Sequence, residues 1–336
     1  MPCETQRDSG KFGLMVTAAD VKTEARRLGF VACGIAALGP SNRGAELDRW
    51  LAAGHAGTMR YLHRQAARRK APATIVPGAA CAVVVLENYF APQPQVPGQP
   101  TIAKFARGLD YHQVTGQRLE QLAAFLRSQG AQSARTFLDA GPVPERELAQ
   151  RAGLGWIGKN TMLIRPGGGS YCLIGSIFTD LALTPDPPFE ADHCGTCGRC
   201  LEACPTEAFV EPRVLDATRC ISYLTIEYRG EFQPGLPPRL KGWAFGCDIC
   251  NDVCPWNLQF ASLTCVEELR PCVGELDSAG PEYFDRMDEV AFETRFGATA
   301  LERAGLKGMR RNWKVAYHRT DASPAPPDDA PAQIHA

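Results

Sequence analysis

The chain has 336 residues, of which 45% are apolar and 22% are charged, and its formal net charge is −1. Its length exceeds one ordinary domain of about 150 residues, and its composition is typical of a globular protein with a large core. The balanced charge argues against a protein that binds nucleic acid through an overall basic surface. The sequence has no run of 18 apolar residues, the length that a membrane span needs. We therefore expect a soluble cytoplasmic protein, with one local basic stretch at Arg64, Arg68, Arg69 and Lys70.

Apolar periodicity predicts alternating helices and strands over the first 185 residues, which favours an α/β domain built on one sheet. In chain order, the predicted elements are a helix over 18–28, a strand over 30–38, a helix over 46–53, a buried strand over 79–86, an amphipathic helix over 114–128, and strands over 136–138 and 171–178. The glycine triplet at 167–169 does not stand between a strand and a helix, so it is interpreted as a hairpin turn rather than a nucleotide-binding loop.

The second half of the chain predicts three further segments. The proline-rich stretch at 184–188 is a plausible linker, so the α/β domain is placed at 14–185 and a cysteine-rich domain at 186–258. Helical patches, including one over 310–316, predict a C-terminal helical segment at 259–319. The tail at 320–336 has four prolines and no aromatic residue, and we expect it to be disordered.

Eight cysteines in one stretch predict two iron–sulfur clusters. They are Cys194, Cys197, Cys200, Cys204, Cys220, Cys247, Cys250 and Cys254. In the bacterial ferredoxin pattern, the cysteine that precedes a proline ligates the other cluster, and here prolines follow Cys204 and Cys254. Crossing these two ligands predicts an outer cluster on Cys194, Cys197, Cys200 and Cys254. The remaining four predict an inner cluster on Cys204, Cys220, Cys247 and Cys250.

Three alternatives compete with electron-transfer clusters. A disulfide framework is disfavoured because the N-terminus has no apolar signal-peptide core and reducing compartments keep thiols reduced. Zinc sites are disfavoured because structural zinc takes four ligands as two separated pairs, whereas the first run supplies too many thiols too close together. Clusters that only hold the fold together remain possible, but two clusters in one module favour electron transfer.

Several polar residues in the α/β domain are candidate functional groups. Asp139 follows a predicted strand, a common place for functional side chains, although an Asx-type turn is the ordinary interpretation of Asp before Gly-Pro. Glu145 and Glu147 open a predicted helix and are interpreted as stabilisers of its dipole. His112 begins another helix, where it is as easily a packed cap residue as a ligand.

The chain resembles the epoxyqueuosine reductase (QueG) family over roughly three quarters of its length. The matching segments are Gly54 to Tyr61 (GHAGTMRY), Gly108 to His112 (GLDYH), Leu138 to Arg146 (LDAGPVPER), Ala152 to Asn160 (AGLGWIGKN) and Cys220 to Glu227 (CISYLTIE). The resemblance implies reduction of epoxyqueuosine to queuosine in tRNA, the last step of queuosine biosynthesis. It also implies a nitroreductase-like α/β (α+β) domain with one mixed sheet, followed by a ferredoxin-like domain with two [4Fe-4S] clusters.

The same resemblance implies a base-off cobalamin in the α/β domain and Asp139 as the proton donor. To hold a proton at neutral pH, Asp139 must be buried beside the corrin and the substrate. The implied cobalamin contacts are Arg69, Asp139, Ile174, Ser222 and Asp248. Because Ser222 and Asp248 adjoin ligands of the inner cluster, that cluster is placed next to the cobalt. Some members have a cysteine beneath the cobalt where this chain has Ala103, so no thiolate ligand is expected there.

The implied partner is tRNA carrying epoxyqueuosine in its anticodon loop, whose modified base would be splayed into the pocket. Many family members continue into C-terminal helical repeats that grip tRNA, so a smaller basic surface is predicted here. Its candidates are Arg229, Arg239, Lys241, Arg310, Arg311 and Lys314, with Arg229 foremost. An unidentified flavodoxin or ferredoxin-type electron donor and a monomeric state are also expected.

Two other functions are consistent with the sequence. A corrinoid reductive dehalogenase would use similar cofactors on a small organohalide, but those enzymes usually carry a twin-arginine export signal. A ferredoxin-type electron carrier would have the clusters and bind no corrin.

Overall fold

The structure, a computed structural model, describes residues 16–92, 96–233 and 235–317. The predicted tail at 320–336 lies outside these ranges, as does Cys3. None of the helices in the described ranges is long and apolar enough to cross a membrane.

Twenty-one helices and strands can be named in the described ranges, joined by short 3₁₀ turns. The helices are α1 Ala18–Arg27, α2 Gly44–Ala52, α3 Arg60–Lys70, α4 Tyr111–Ser128, α5 Glu145–Arg151, α6 Arg199–Glu202, α7 Ile221–Ile226, α8 Ile249–Asp252, α9 Pro255–Phe260, α10 Glu289–Phe296 and α11 Gly305–Tyr317. The strands are β1 Ala32–Ala37, β2 Cys81–Asn88, β3 Thr101–Ile102, β4 Ala134–Leu138, β5 Trp156–Ile157, β6 Leu163–Ile164, β7 Cys172–Thr179, β8 Phe209–Glu211, β9 Val214–Leu215 and β10 Trp243–Phe245.

The main sheet has four strands in the order β1-β2-β7-β4. All three pairings are antiparallel, so the prediction of a mixed sheet is wrong for these strands. The buried apolar run of β2 suggested a strand covered on both faces, as parallel strands usually are. Here both faces are indeed covered, but the connections between paired strands return the chain in the opposite direction.

Helices cover both faces of this sheet. Val21 of α1 and Leu119, Leu122 and Leu126 of α4 are fully buried in one apolar cluster with alternate β2 residues. Leu148 of α5 belongs to the cluster on the opposite face. This packing fixes the end of β4 and the start of α5, and the loop between them carries Asp139.

The proline-rich stretch predicted as a linker is tied to the sheet. Asp186 accepts a hydrogen bond from the backbone of Ile35 at 2.7 Å and also pairs with Lys22 of α1. Farther along the chain, α10 and α11 form a separate apolar cluster around Phe284, Phe296 and Trp313. This segment packs against β10 and α7, which lie between the cysteines.

Candidate active site

Asp139 lies at the exposed end of β4, in a loop that continues into α5. Its backbone has φ +48°, in the left-handed region that non-glycine residues adopt only at an energetic cost. The side chain is exposed, as is that of Ala140. Such strain at a polar residue is typical of functional sites, because surrounding contacts must maintain it.

Two contacts with other elements hold Asp139 in this conformation. The buried Tyr111, the first residue of α4, donates its phenol hydrogen to Oδ2 at 2.6 Å. The Asp139 backbone N–H donates to Oε1 of Glu145 at 2.7 Å. The Asp139 side chain therefore bonds to a distant element of the fold, and an Asx turn is not needed to explain its position. Oδ1 accepts no hydrogen bond from the described residues and is left for another partner.

Arg69, the penultimate residue of α3, holds the rest of the same loop. Its guanidinium donates to the carbonyls of Gly141 and Val143, both at 2.9 Å, and to Oε1 of Gln65 at 3.2 Å. Nε of Arg69 is buried and has no hydrogen-bond partner among the described residues. The structure thus brings two predicted site residues, Arg69 and Asp139, into one loop assembly.

His112 has the contacts of a helix-cap residue. The Asp110 carboxylate, which caps α4, accepts from the His112 backbone and contacts its ring nitrogen Nδ1, both at 2.9 Å. This contact raises the pKa of His112. The imidazole stacks on the Tyr111 ring at 4.2 Å between centroids, so it supports the phenol that holds Asp139.

Glu145 differs from an ordinary helix-stabilising acid. Burial, together with the charge of Asp139, raises its pKa from 4.5 to about 8. A neutral Glu145 avoids placing two carboxylates side by side, while its oxygen still accepts the Asp139 N–H. Glu147, by contrast, pairs with Arg151 at 2.7 Å and accepts from the backbone of Asn42.

We expect Glu145→Gln to become more stable than the wild type as pH rises. Because the folded-state pKa is raised, the favourable contribution of neutral Glu145 is fully present below about pH 4.5 and is lost as pH rises through about 8. Glutamine cannot ionise, and its oxygen can still accept the Asp139 N–H. We convert the change in pKa to free energy at about 1.4 kcal/mol per pKa unit and halve the result, because solvent screens the charge of a half-buried group. The expected advantage of Glu145→Gln at pH 9 is therefore about 2 kcal/mol.

The measurement is the melting temperature of both proteins between pH 5 and pH 9. Glu267→Gln, which removes an exposed carboxyl, is the control and should follow the wild type. Parallel curves for Glu145→Gln and the wild type would contradict a neutral Glu145.

The four thiols predicted for the outer cluster lie within electrostatic range of one another. Burial and the nearby thiols of Cys254, Cys194 and Cys197 raise the pKa of Cys200 to about 11. Burial also raises the pKa of Cys254, to which Cys194 and Cys197 contribute. Cys254 therefore lies with the first cysteine run, although 50 or more residues separate it from that run.

The indole N–H of Trp156 donates to Sγ of Cys194 at 3.4 Å. Such bonds to ligand sulfur tune cluster potentials. The Trp156 ring also packs against Trp256 at 4.9 Å between centroids, two residues after Cys254.

The thiols predicted for the inner cluster are also neighbours. Burial raises the pKa of Cys220, with a further contribution from Cys204. Burial likewise raises the pKa of Cys247, with contributions from Cys250 and Cys220. Cys250 is near both Cys220 and Cys204 and also near Cys200 of the other group. The two thiol groups are thus adjacent.

In the described ranges, no three His, Cys, Asp or Glu side chains converge closely enough to hold a single metal ion. A [4Fe-4S] cluster does not require such convergence, because its four thiolates bind four different irons.

Asp248, a predicted cobalamin contact, is buried in a charged network that the sequence did not indicate. Its Oδ2 accepts from the Lys104 backbone at 2.8 Å and lies 3.7 Å from Lys104 Nζ, which also pairs with Asp252 at 2.6 Å. Burial raises the pKa of Asp248 to about 6, although Lys104 opposes the shift. The adjacent Phe105 ring packs on Tyr111 at 6.1 Å, which links this network to the Asp139 site.

The remaining predicted cobalamin residues are not joined to Asp139 by hydrogen bonds. Ser222 is half-buried in α7, and Ile174 lies on β7, which is buried from Gly175 onward but partly exposed at 172–174. Ala103 is fully buried, and a Cβ on Gly246 would lie 2.6 Å from its methyl group. The chain is therefore close-packed at this position.

Most predicted tRNA-binding arginines donate to protein carbonyls. Arg229 donates to the carbonyls of Ala304, at 3.0 Å, and Arg303. Arg310 donates to Phe284 and Met287, and Arg311 to Leu224, Tyr228 and Gly230. Arg239 pairs with Glu207 at 3.3 Å. The contacts of Arg229, Arg310 and Arg311 stabilise the packing of the C-terminal segment, and a role in tRNA binding stays a prediction for all four arginines.

Two family models match parts of the chain. Residues 69–140 match "Epoxyqueuosine reductase QueG, DUF1730", and residues 193–257 match the "4Fe-4S double cluster binding domain". The chain is 39% identical over 305 residues to the epoxyqueuosine reductase of Pseudomonas aeruginosa, covering 89% of this chain and 84% of the relative. It is 42% identical over 298 residues to that of a Synechococcus species, covering 87% and 91%.

Solved structures give the same similarity in three dimensions. A crystal structure of epoxyqueuosine reductase with an epoxyqueuosine-modified tRNA-Tyr stem loop has a TM-score of 0.78 at 26% identity, covering 90% of this chain and 81% of the other. The Bacillus subtilis enzyme, with its catalytic Asp loop swung out of the active site, has a TM-score of 0.76 at 27% identity, covering 90% and 82%.

Proposed function

This chain belongs to the epoxyqueuosine reductase family and reduces epoxyqueuosine to queuosine in tRNA, and we propose that Asp139 is its proton donor. The observation that carries this assignment is the arrangement of one exposed carboxyl. Asp139 has a strained backbone, a phenol bonded to one oxygen, and a loop held by an arginine from α3. The catalytic Asp loop of the Bacillus subtilis relative supports it.

The reaction explains why a positioned acid is needed. Converting an epoxide into an alkene consumes two electrons and two protons and releases the oxygen as water. An alkoxide is a poor leaving group, so an acid must protonate it. With Tyr111 bonded to Oδ2, Oδ1 of Asp139 is the oxygen that would carry the proton to the substrate. Substrate binding would supply the burial that the exposed carboxyl needs to hold it.

We assign the two thiol groups to two [4Fe-4S] clusters. The outer cluster would be held by Cys194, Cys197, Cys200 and Cys254, and the inner one by Cys204, Cys220, Cys247 and Cys250. The proximity of Cys254 to Cys194 and of Cys220 to Cys204 supports the crossed assignment. When bound, the clusters and the cobalamin would relay to the substrate the two electrons that an external donor provides.

Two observations are compatible with a cofactor bound among these residues. β7 becomes partly exposed near Ile174, while Arg69 has a buried Nε without a partner among the described residues. We propose that Arg69, Asp139, Ile174, Ser222 and Asp248 hold the cobalamin in its base-off form. These residues would orient it between the inner cluster and Asp139.

The same proposal includes the setting of the reaction. The loop between Cys194 and Arg199 exposes Gly195 and Thr196, so electrons from a flavodoxin or ferredoxin-type donor would enter at the outer cluster. Reducing cytoplasm would keep the eight thiols available for iron. We expect a monomer, in which 14–185 binds cobalamin, 186–258 binds the clusters and 259–319 packs against them.

The test combines cofactor loading with two substrates. Protein purified anaerobically and supplemented with cobalamin is expected to retain a corrinoid in its visible spectrum. With a low-potential reductant, it should convert epoxyqueuosine in an anticodon stem-loop to queuosine and leave a haloarene unchanged. Loaded clusters without bound corrinoid or turnover would indicate an electron carrier, and turnover of the haloarene alone would indicate a dehalogenase.

A further inference from the structure

Helix α3 has two faces of different character. Tyr61, Gln65 and Arg69 lie four residues apart on the face toward the Asp139 loop, where Gln65 and Arg69 bond to each other. The pKa of Tyr61 is raised by burial and by nearby acids, Glu227 and Asp139 among them. The inner face of α3 is therefore part of the active-site assembly.

The outer face of α3 is exposed and basic. The exposed residues follow helical spacing and are Arg60, His63, Arg64, Ala67 and Arg68. The helix contains no acidic residue. Lys70 pairs with Asp48 at 2.8 Å, but the side chains of Arg60, Arg64 and Arg68 have no hydrogen bond or ion pair with any described residue. These three arginines are one helical turn apart, about 6 Å along the axis.

Helix stability does not account for this row. Like charges four residues apart on a helix destabilise it by about 0.2–0.5 kcal/mol per pair. Arg60 also begins the helix, where a positive charge opposes the helix dipole. Arg68 alone, in the last turn, is favourably placed.

We propose that Arg60, Arg64 and Arg68 bind the phosphate backbone of the tRNA whose modified base enters the Asp139 site. The inference rests on the proposed function, which supplies the polyanionic partner. Guanidinium groups recognise phosphate with two donors at once, and unpaired ones pay no penalty for breaking an existing ion pair. Since Arg69 of the same helix holds the Asp139 loop, phosphate contacts on the outer face would fix the anticodon stem-loop relative to the catalytic carboxyl.

The position of this row separates it from the other arginines. Arg229, Arg310 and Arg311 are bonded to carbonyls of their own chain, so they would have to exchange those bonds for phosphate. With a net charge of −1, the chain offers no general attraction for RNA, and binding must depend on local groups. The α3 row offers three such groups beside the active site.

The test is the salt dependence of binding to a fluorescent anticodon stem-loop RNA that carries epoxyqueuosine. Each phosphate contact contributes about 0.7–0.9 to the slope of log Kd against log salt concentration, so Arg60→Gln, Arg64→Gln and Arg68→Gln together should reduce that slope by about 2–3. The triple Lys variant at the same positions should retain the slope, because lysine also binds phosphate as a point charge.

A matched control removes three exposed arginines elsewhere. Arg27, Arg286 and Arg295, each paired with one surface acid, are changed to glutamine, and the slope should remain that of the wild type. An unchanged slope in the α3 triple Gln variant, or an equal loss in the control, would overturn the proposal. A wild-type protein that binds no stem-loop and reduces no epoxyqueuosine would instead refute the proposed function.

Discussion

Replacing Asp139 by asparagine is expected to lower the turnover of epoxyqueuosine by about 10²–10⁴-fold, the usual contribution of a positioned general acid. The amide keeps the size of the carboxyl and an oxygen that can accept the Tyr111 hydrogen bond, but it has no acidic proton to transfer. Since Asp139 is exposed and outside the apolar clusters, folding should be unaffected. Single-turnover rates of fully loaded protein are the measurement.

The control is Asp288→Asn, which changes an exposed carboxyl that caps α10 in the C-terminal segment. Asparagine is as good a helix cap as aspartate, so this variant should retain turnover and the stability of α10. Iron content and stem-loop affinity should match the wild type in both variants, and turnover is compared at equal bound corrinoid because Asp139 is also a proposed cobalamin contact. Full turnover by Asp139→Asn with both cofactors loaded would contradict its role as proton donor.

The sequence predicts elements whose apolar residues follow a clear period. The predicted helices over 18–28 and 114–128 correspond to α1 and α4, and the predicted strand over 79–86 corresponds to β2. α3 was not predicted, because none of its residues is buried and its composition shows only a basic stretch. The direction of strand pairing was also missed, since periodicity reports burial and carries no information on which way a neighbouring strand runs.

For the candidate site, the sequence likewise predicts the residues but not their long-range contacts. Cysteine spacing and the family resemblance singled out the eight thiols and Asp139. The contacts that hold the Asp139 loop join residues far apart in the sequence: Tyr111 is 28 positions from Asp139, and Arg69 is 72 positions from Gly141. No local sequence pattern reveals such pairings. The backbone carbonyl contacts of Arg229 and Arg311 were missed for the same reason.

The assignment of the eight cysteines to two clusters depends on both local spacing and long-range contacts. Spacing alone also permits each run to close on itself, with Cys204 completing the outer cluster and Cys254 the inner one. The charges of Cys194 and Cys197 raise the pKa of Cys254, and the charge of Cys204 raises that of Cys220, so these thiols lie within electrostatic range of one another, which favours the crossed arrangement. Double variants can separate the two.

With Cys194→Ala as the reference, adding Cys254→Ala should remove no further cluster, because both residues belong to the outer one. That double variant should keep about half of the wild-type iron and the reduced-state EPR signal of the inner cluster. Adding Cys204→Ala to Cys194→Ala should instead remove both clusters and nearly all iron. The cluster that survives in the first double variant also reports that the domain still folds. All three variants should lack turnover, because the proposed route for electrons enters at the outer cluster and passes through the inner one. The reverse pattern, with iron retained by Cys194→Ala/Cys204→Ala and lost by Cys194→Ala/Cys254→Ala, would mean that each run holds its own cluster.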